Sequence, residues 1–167
     1  MNVVFVNTKS FWGGGEKLHF DYAVKFVDLG HNVTVVTKKN SPLFKKCNSI
    51  GIKTFPFFAG KLAFLNPGKI FKLTEFFKKN NTDIVIISNS PDLKVSSVSS
   101  KIAKTKKIVY LRGLAVPVKR SVINKYIFKN IRFSKSASFT LKLTIDNKVG
   151  LYECLGKYEK SENKSFY

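Results

Sequence analysis

A run of three glycines and a carboxylate, Gly13-Gly14-Gly15-Glu16, lies between an apolar stretch and a helical pattern. Glycine lets a backbone approach an anion closely, and a helix start offers free N–H groups to it. The same glycines also suit a tight turn that needs glycine torsions, so both readings stay open. The run is not G-x-G-x-x-G and no Lys-Ser/Thr follows it, so neither an ordinary dinucleotide fingerprint nor a P-loop is supported. Glu16 also reads as a helix-start carboxylate favoured by the dipole.

Two further groups carry polar chemistry. Ser88 and Asn89 follow a second apolar run and suit contacts to sugar or phosphate, while Ser90 reads as the cap of the next helix. Arg112, with Gly113, follows a third run. Arginine can clamp a phosphate or carboxylate with two bonds, or be held in a structural ion pair, and it is no general base. His19 and His31 have no nucleophile or metal partner near them in sequence and receive no role. Phe11 and Trp12 flank the glycines, where aromatic rings either stack on a sugar face or pack the loop. No residue is assigned a catalytic role.

The elements around these groups alternate. Residues 2–7 are a short continuous apolar run, as in a parallel strand buried on both faces. Leu18, Tyr22, Phe26 and Leu29 recur at helical spacing, widened by Ala23 and Val27, and Gly30 stops that helix. Strands are expected at 33–37, 52–58, 83–88 and 107–111. Ser41-Pro42, Asn66-Pro67 and Ser90-Pro91 open the helices between them, the last with Val95, Val98 and Ile102 on its inner face. A further helix is expected over 119–131. Such alternation predicts an α/β, Rossmann-like parallel sheet with helices on both faces. Ligands of such sheets bind beyond the carboxyl ends of the strands, where the three polar groups converge.

The 167 residues suffice for one domain with a real core. Net charge is +20, and residues 1–132 hold 24 basic and 6 acidic residues. Such a field suits phosphates, nucleic acid or an anionic membrane. Yet 27 of the 30 cations are lysine, whereas base reading favours the arginine fork. With no helix-turn-helix, RNP-like or zinc pattern, no specific nucleic-acid partner is expected. Lysine abundance also matches a general compositional bias toward Lys, Asn, Ile and Phe. Cys47 and Cys154 match no metal or redox spacing, and no basic leader or cleavage site precedes the first apolar run. A reduced cytoplasmic protein is expected, peripheral to the inner face of the membrane if the charge serves docking.

The opening strand, the Gly-Gly-Gly-Glu loop and helix, and Gly30-His-Asn-Val-Thr-Val-Val36 resemble the start of a family-4-type glycosyltransferase with the GT-B fold. Asp83-Ile-Val-Ile-Ile and Lys107-Ile-Val-Tyr-Leu-Arg-Gly113 fit later strands of the same half, and Lys125-Tyr-Ile-Phe-Lys-Asn130 fits the helix after them. The resemblance covers residues 1–131. It implies the N-terminal, acceptor-side half of a GT-B fold. No bound cofactor is implied. A nucleotide-sugar would serve as donor, a cell-surface glycan or lipopolysaccharide-type glycolipid as acceptor, and a separate C-terminal half would hold the donor. It implies that Gly14 and Gly15 lie near the donor diphosphate and that Glu16 meets the acceptor or fixes the loop. Arg112 stands where many members have a histidine.

No second half and no E-x7-E motif occurs: Glu153, Glu159 and Glu162 are spaced six and three apart. The chain therefore reads either as a truncated or frame-shifted transferase, inactive alone, or as a genuine short protein with its own terminal strand, with a divergent tail over 132–167. In that tail, residues 137–145 alternate as a strand and residues 150–167 read as weakly ordered. The competing readings are a non-enzymatic basic α/β module binding nucleic acid or an anionic membrane, and a nucleotide-binding protein of other chemistry. Thr37-Lys38-Lys39 opposes the latter, standing where a ribose-binding carboxylate belongs.

Overall fold

The computed structural model describes residues 1–60 and 62–111, and the backbone of 132–134, 140–145 and 148–153. Among the described residues six parallel strands form one sheet: β1 (Asn2–Val6), β2 (Asn32–Thr37), β3 (Lys53–Pro56), β4 (Ile84–Ile87), β5 (Lys107–Leu111) and β6 (Arg132–Ser134). Their order is β3-β2-β1-β4-β5-β6. Four helices connect the first five: α1 (Gly14–Asp28), α2 (Pro42–Ser49), α3 (Pro67–Lys79) and α4 (Ser90–Ala103). The Rossmann-like α/β sheet expected from the alternation is present, and β6 carries it past residue 131.

Successive residues of a strand face opposite sides, and here both sides are dry. Val3, Phe5, Val33, Val35, Ile84 and Ile86 pack against Tyr22, Ala23 and Phe26 of α1 and Leu43 and Cys47 of α2. Val4, Val6, Val36, Val85 and Ile87 pack against Leu73 and Phe77 of α3 and Leu93 and Val95 of α4. Double burial is why the strands read as unbroken apolar runs.

Local signals set most ends. Ser41 Oγ accepts from Phe44 N–H, and Asn66 Oδ1 accepts from Lys69 N–H, each with proline next in the chain. Gly30 and Gly51 take φ of 78° and 76°, the left-handed region that ends α1 and α2. Three expectations change. The cap of α4 is Asn89, whose Oδ1 accepts from Asp92 N–H, and Ser90 is the first helical residue. Its buried face is Asp92, Leu93, Val95 and four serines, with Ile102 exposed. In α1 the buried stripe runs through Glu16, His19, Tyr22, Ala23 and Phe26, leaving Val27 and Leu29 exposed. Apolar spacing alone misplaced both stripes because polar side chains occupy part of each buried face.

Beyond the parallel sheet, β7 (Thr140–Ile145) and β8 (Lys148–Glu153) form an antiparallel pair, Thr140 opposite Glu153. Thus 150–153 are strand where the sequence reads a weak tail: a neighbouring strand supplies backbone partners that low apolarity does not reveal. The expected helix at 119–131 and residues 154–167 lie outside the described residues.

Candidate functional site

The chain leaves β1 for β2 on one side and later returns as β4 on the other. The carboxyl ends of β1 and β4 therefore diverge at a switch point, where such sheets open a crevice. Polar residues follow at once: Asn7 and Thr8 after β1, Ser88 and Asn89 after β4.

Asn7 is the hub. Its Nδ2 donates to Glu16 Oε1 at 3.1 Å and to Ser88 Oγ at 3.4 Å. Its Oδ1 accepts from Lys9 N–H at 3.3 Å and Asn89 Nδ2 at 3.4 Å. Glu16 is buried, and the Lys9 ammonium lies 3.5 Å from its Oε1. Thr8 sits beside the hub. Its N–H and hydroxyl both donate to Asp92, and its Oγ1 accepts from Ala59 N–H of the loop after β3. Lys38, just past β2, donates to Ser10 Oγ at 2.9 Å. Four strand ends are thus tied to one loop.

The glycines divide into two kinds. A side chain at Gly13 would put its Cβ 3.2 Å from Glu16 Oε2, so that position is crowded by the carboxylate. At Gly14 and Gly15, the first residues of α1, nothing among the described residues lies within 4 Å of a Cβ. Neither they nor Gly13 has positive φ. The tight-turn reading of the glycines therefore fails, and the start of α1 is an open stretch of backbone. Among the described residues no side chain caps it.

Beneath the loop lies His19, fully buried, its ring edge-on to Phe5 at 5.7 Å. Among the described residues neither ring nitrogen has a hydrogen-bond partner. Burial, then the Lys9 charge, pulls its pKa down to about 3, so the ring is neutral. Trp12 packs edge-on to Phe20 under the Lys46 ammonium, which places it in the loop core, whereas Phe11 is exposed.

Of the residues read from the sequence, Gly13, Gly14, Gly15, Glu16, Ser88 and Asn89 border this crevice. Arg112 and Gly113 lie outside the described residues. Asn7, Lys38 and Asp92 were not foreseen, and Thr8 only as the first residue of the loop that runs to Glu16. The pair Asn7-Thr8, polar directly after a buried strand, was a usable signal; Asp92, one more acid in a helix's first turn, was not. Among the described residues no His/Cys/Asp/Glu cluster could hold a metal.

No protein-family profile and no curated protein matches the chain. Solved structures do. MurG of Acinetobacter baumannii superposes with a TM-score of 0.61 at 12% identity, over 84% of this chain and 43% of that one. A glycosyltransferase of Rickettsia africae gives 0.59 at 20% identity, over 74% and 34%. The lipopolysaccharide outer core galactosyltransferase WaaB gives 0.57 at 17% identity, over 80% and 38%. The chain thus has the Rossmann-like fold of GT-B glycosyltransferases and spans less than half the length of these structures.

Proposed function

We propose that this chain is the acceptor-side half of a glycosyltransferase that moves sugar from a nucleotide-sugar to a cell-surface glycan or lipopolysaccharide-type acceptor. One observation carries the reading: the uncapped, open backbone at Gly14-Gly15 beside the Asn7–Glu16–Ser88–Asn89 network at the β1/β4 switch point. The likeness in fold to a lipopolysaccharide galactosyltransferase supports the acceptor class.

Sugar transfer makes a bond from an acceptor oxygen to the anomeric carbon and breaks the bond to the diphosphate, which leaves with negative charge. The N–H groups at the start of α1 suit that charge, and glycine leaves them accessible. Asn7 and Lys9 hold the Glu16 carboxylate back from the opening, so in this reading Glu16 is a positioning residue for the loop. Ser88 and Asn89 offer a hydroxyl and an amide to acceptor hydroxyls. A second, donor-binding half is required, because catalysis depends on holding both substrates together. The reading places the reaction in the cytoplasm, where nucleotide-sugars are made. No helix among the described residues is long and apolar enough to cross a membrane.

The test is sugar transfer by the purified chain, alone and fused to a donor-binding GT-B half. The expected result is no turnover alone and turnover in the fusion. Robust transfer by the chain alone would overturn the reading.

A further inference from the structure

Lys38 is half-buried at the carboxyl end of β2, and its ammonium bonds a neutral group, Ser10 Oγ, at 2.9 Å. Lys69 is half-buried too and donates to Phe58 O at 3.0 Å. The two ammoniums lie 5.2 and 5.4 Å from the centre of one ring, that of Phe58. Among the described residues neither is paired with a carboxylate. None stands near in sequence either: between Asp28 and Glu75 the chain has eight lysines and no acidic residue. The carboxylates of the crevice are already engaged, Glu16 by Asn7 and Lys9, Asp92 by Thr8 and Asn89. Partly covering a charge without a counter-charge is costly. Two such charges at one ring make a local positive field that an anion would complete.

The ring between these charges is open. Phe58 is 49% exposed, although Phe57 and Ala59 on either side of it are buried. Ala59 N–H bonds Thr8 Oγ1 and Lys38 bonds Ser10, so the loops after β2 and β3 are fastened to the loop after β1. Neighbouring strands lie about 4.8 Å apart, so the ends of β2 and β3 are one and two strands from the end of β1. The group therefore lies beside the crevice and not within it. An aromatic face next to fixed cations suits a ring with an apolar face and a negative substituent. A pyranose has such a face in its C–H groups, and a carboxylate or phosphate on it would supply the charge. A nucleobase would stack as well, but the adjoining crevice offers Ser88 and Asn89, whose hydroxyl and amide suit sugar hydroxyls.

We propose that Lys38, Ser10, Phe58 and Lys69 form a subsite for an acidic or phosphorylated sugar, the unit of the acceptor glycan next to the one that receives the transferred sugar. The proposal deepens the transferase reading and rests on it. The Phe58 ring covers the C–H face of the pyranose. The Lys38 ammonium and the Ser10 hydroxyl meet its anionic group, and Lys69 adds to the attraction from beside the ring. Lysine is a point charge, so it takes a carboxylate or a phosphate alike. A neutral glycan would leave both ammoniums without a counter-charge, so the subsite selects an acceptor by its charge.

The experiment is titration of the isotope-labelled full chain with glucuronate, glucose-6-phosphate, glucose and inorganic phosphate, followed by the amide signals in NMR. Glucuronate or glucose-6-phosphate is expected to move the amides of Ser10, Lys38 and Phe58 and to bind at least about tenfold more tightly than glucose or phosphate. The tighter of the two identifies the substituent. Lys38→Gln should weaken that binding at least about tenfold, and Lys38→Arg should restore most of it. Phe58→Ala should weaken it too, whereas Lys104→Gln, at the far end of α4, should change it little. No binding of either acid overturns the proposal. So does equal binding of inorganic phosphate, or equal loss in Lys104→Gln, since either means charge alone. Shifts confined to Gly14 and Gly15 would put the anion at the start of α1 and overturn it as well, and tighter binding of a single-stranded oligonucleotide would assign the ring to nucleic acid. The titration needs neither donor nor turnover. The subsite can thus fail while the fused enzyme transfers sugar, and an inactive fusion beside a positive titration would count against the transferase reading and not against the subsite.

Discussion

Asp92 accepts two hydrogen bonds from Thr8 across 84 residues of chain, 2.8 Å from the backbone N–H and 2.6 Å from the hydroxyl. Asn89 Nδ2 adds a third at 2.5 Å. Burial pushes the Asp92 pKa up, while these donors and the Lys9 charge oppose the shift. The bonds join the end of β1 to the first turn of α4, so the two lips of the switch-point crevice are fastened together.

Replacing Asp92 with alanine would leave the buried Thr8 N–H without an acceptor. A loss of about 2–4 kcal/mol is expected from urea unfolding. Thr8→Val, which removes only the hydroxyl, should cost about 1 kcal/mol. Equal, near-zero costs would mean that the two lips are independent.

His19 should make the fold acid-sensitive. Its pKa falls from 6.5 to about 3 on folding, so the unfolded chain binds the extra proton. Stability from this group is complete above pH 6.5 and is lost as pH falls toward 3, at about 1.4 kcal/mol per unit and about 5 kcal/mol in all. Asp92, with a raised pKa, works in the opposite sense: its contribution is present in acid and is lost as pH rises through the folded pKa. Comparing the pH dependence of unfolding in the natural chain and in His19→Leu isolates the histidine. The variant should lose most of the slope below pH 6.5, and an unchanged slope would contradict the buried neutral ring.

Gly13 and Gly14 should respond differently to the same change. Gly14→Val meets open space and should shift stability by no more than about 1 kcal/mol. In the fused two-half enzyme it should nevertheless abolish turnover. Gly13→Val presses on Glu16 and should cost stability in the chain alone, by about 1–2 kcal/mol. Full turnover in the Gly14 variant would remove the diphosphate role from the loop.

Cys47 is buried in the α2 face of the core, and burial raises its thiol pKa to about 11. Alkylation of Cys47, followed by mass spectrometry of its peptide, should be at least about a hundredfold slower in native than in urea-unfolded chain at pH 8. Comparable rates would show that α2 opens readily.

Local order was legible from the residues. Strand and helix alternation, the proline-led helix starts at 42 and 67, and the glycine stops at 30 and 51 follow from torsion preferences and apolar period, which act over a few residues. The glycine loop was legible for the same reason. The direction in which each helix turns its polar residues was not. Glu16 and His19 fall outside the apolar stripe read for α1, yet both are buried, because Asn7 and Lys9 receive the carboxylate and Phe5 covers the ring.

By itself, then, the sequence determined a parallel α/β chain with a glycine loop at a strand end and a strongly basic composition. Only the tertiary structure decided that β1 lies between β2 and β4 and that Asn7 gathers Glu16, Ser88 and Asn89. It alone turned Phe58, Leu62, Leu65 and Phe71 toward solvent. Periodicity records how each segment meets a buried face; which segments become neighbours depends on long-range pairing, and no local pattern encodes that.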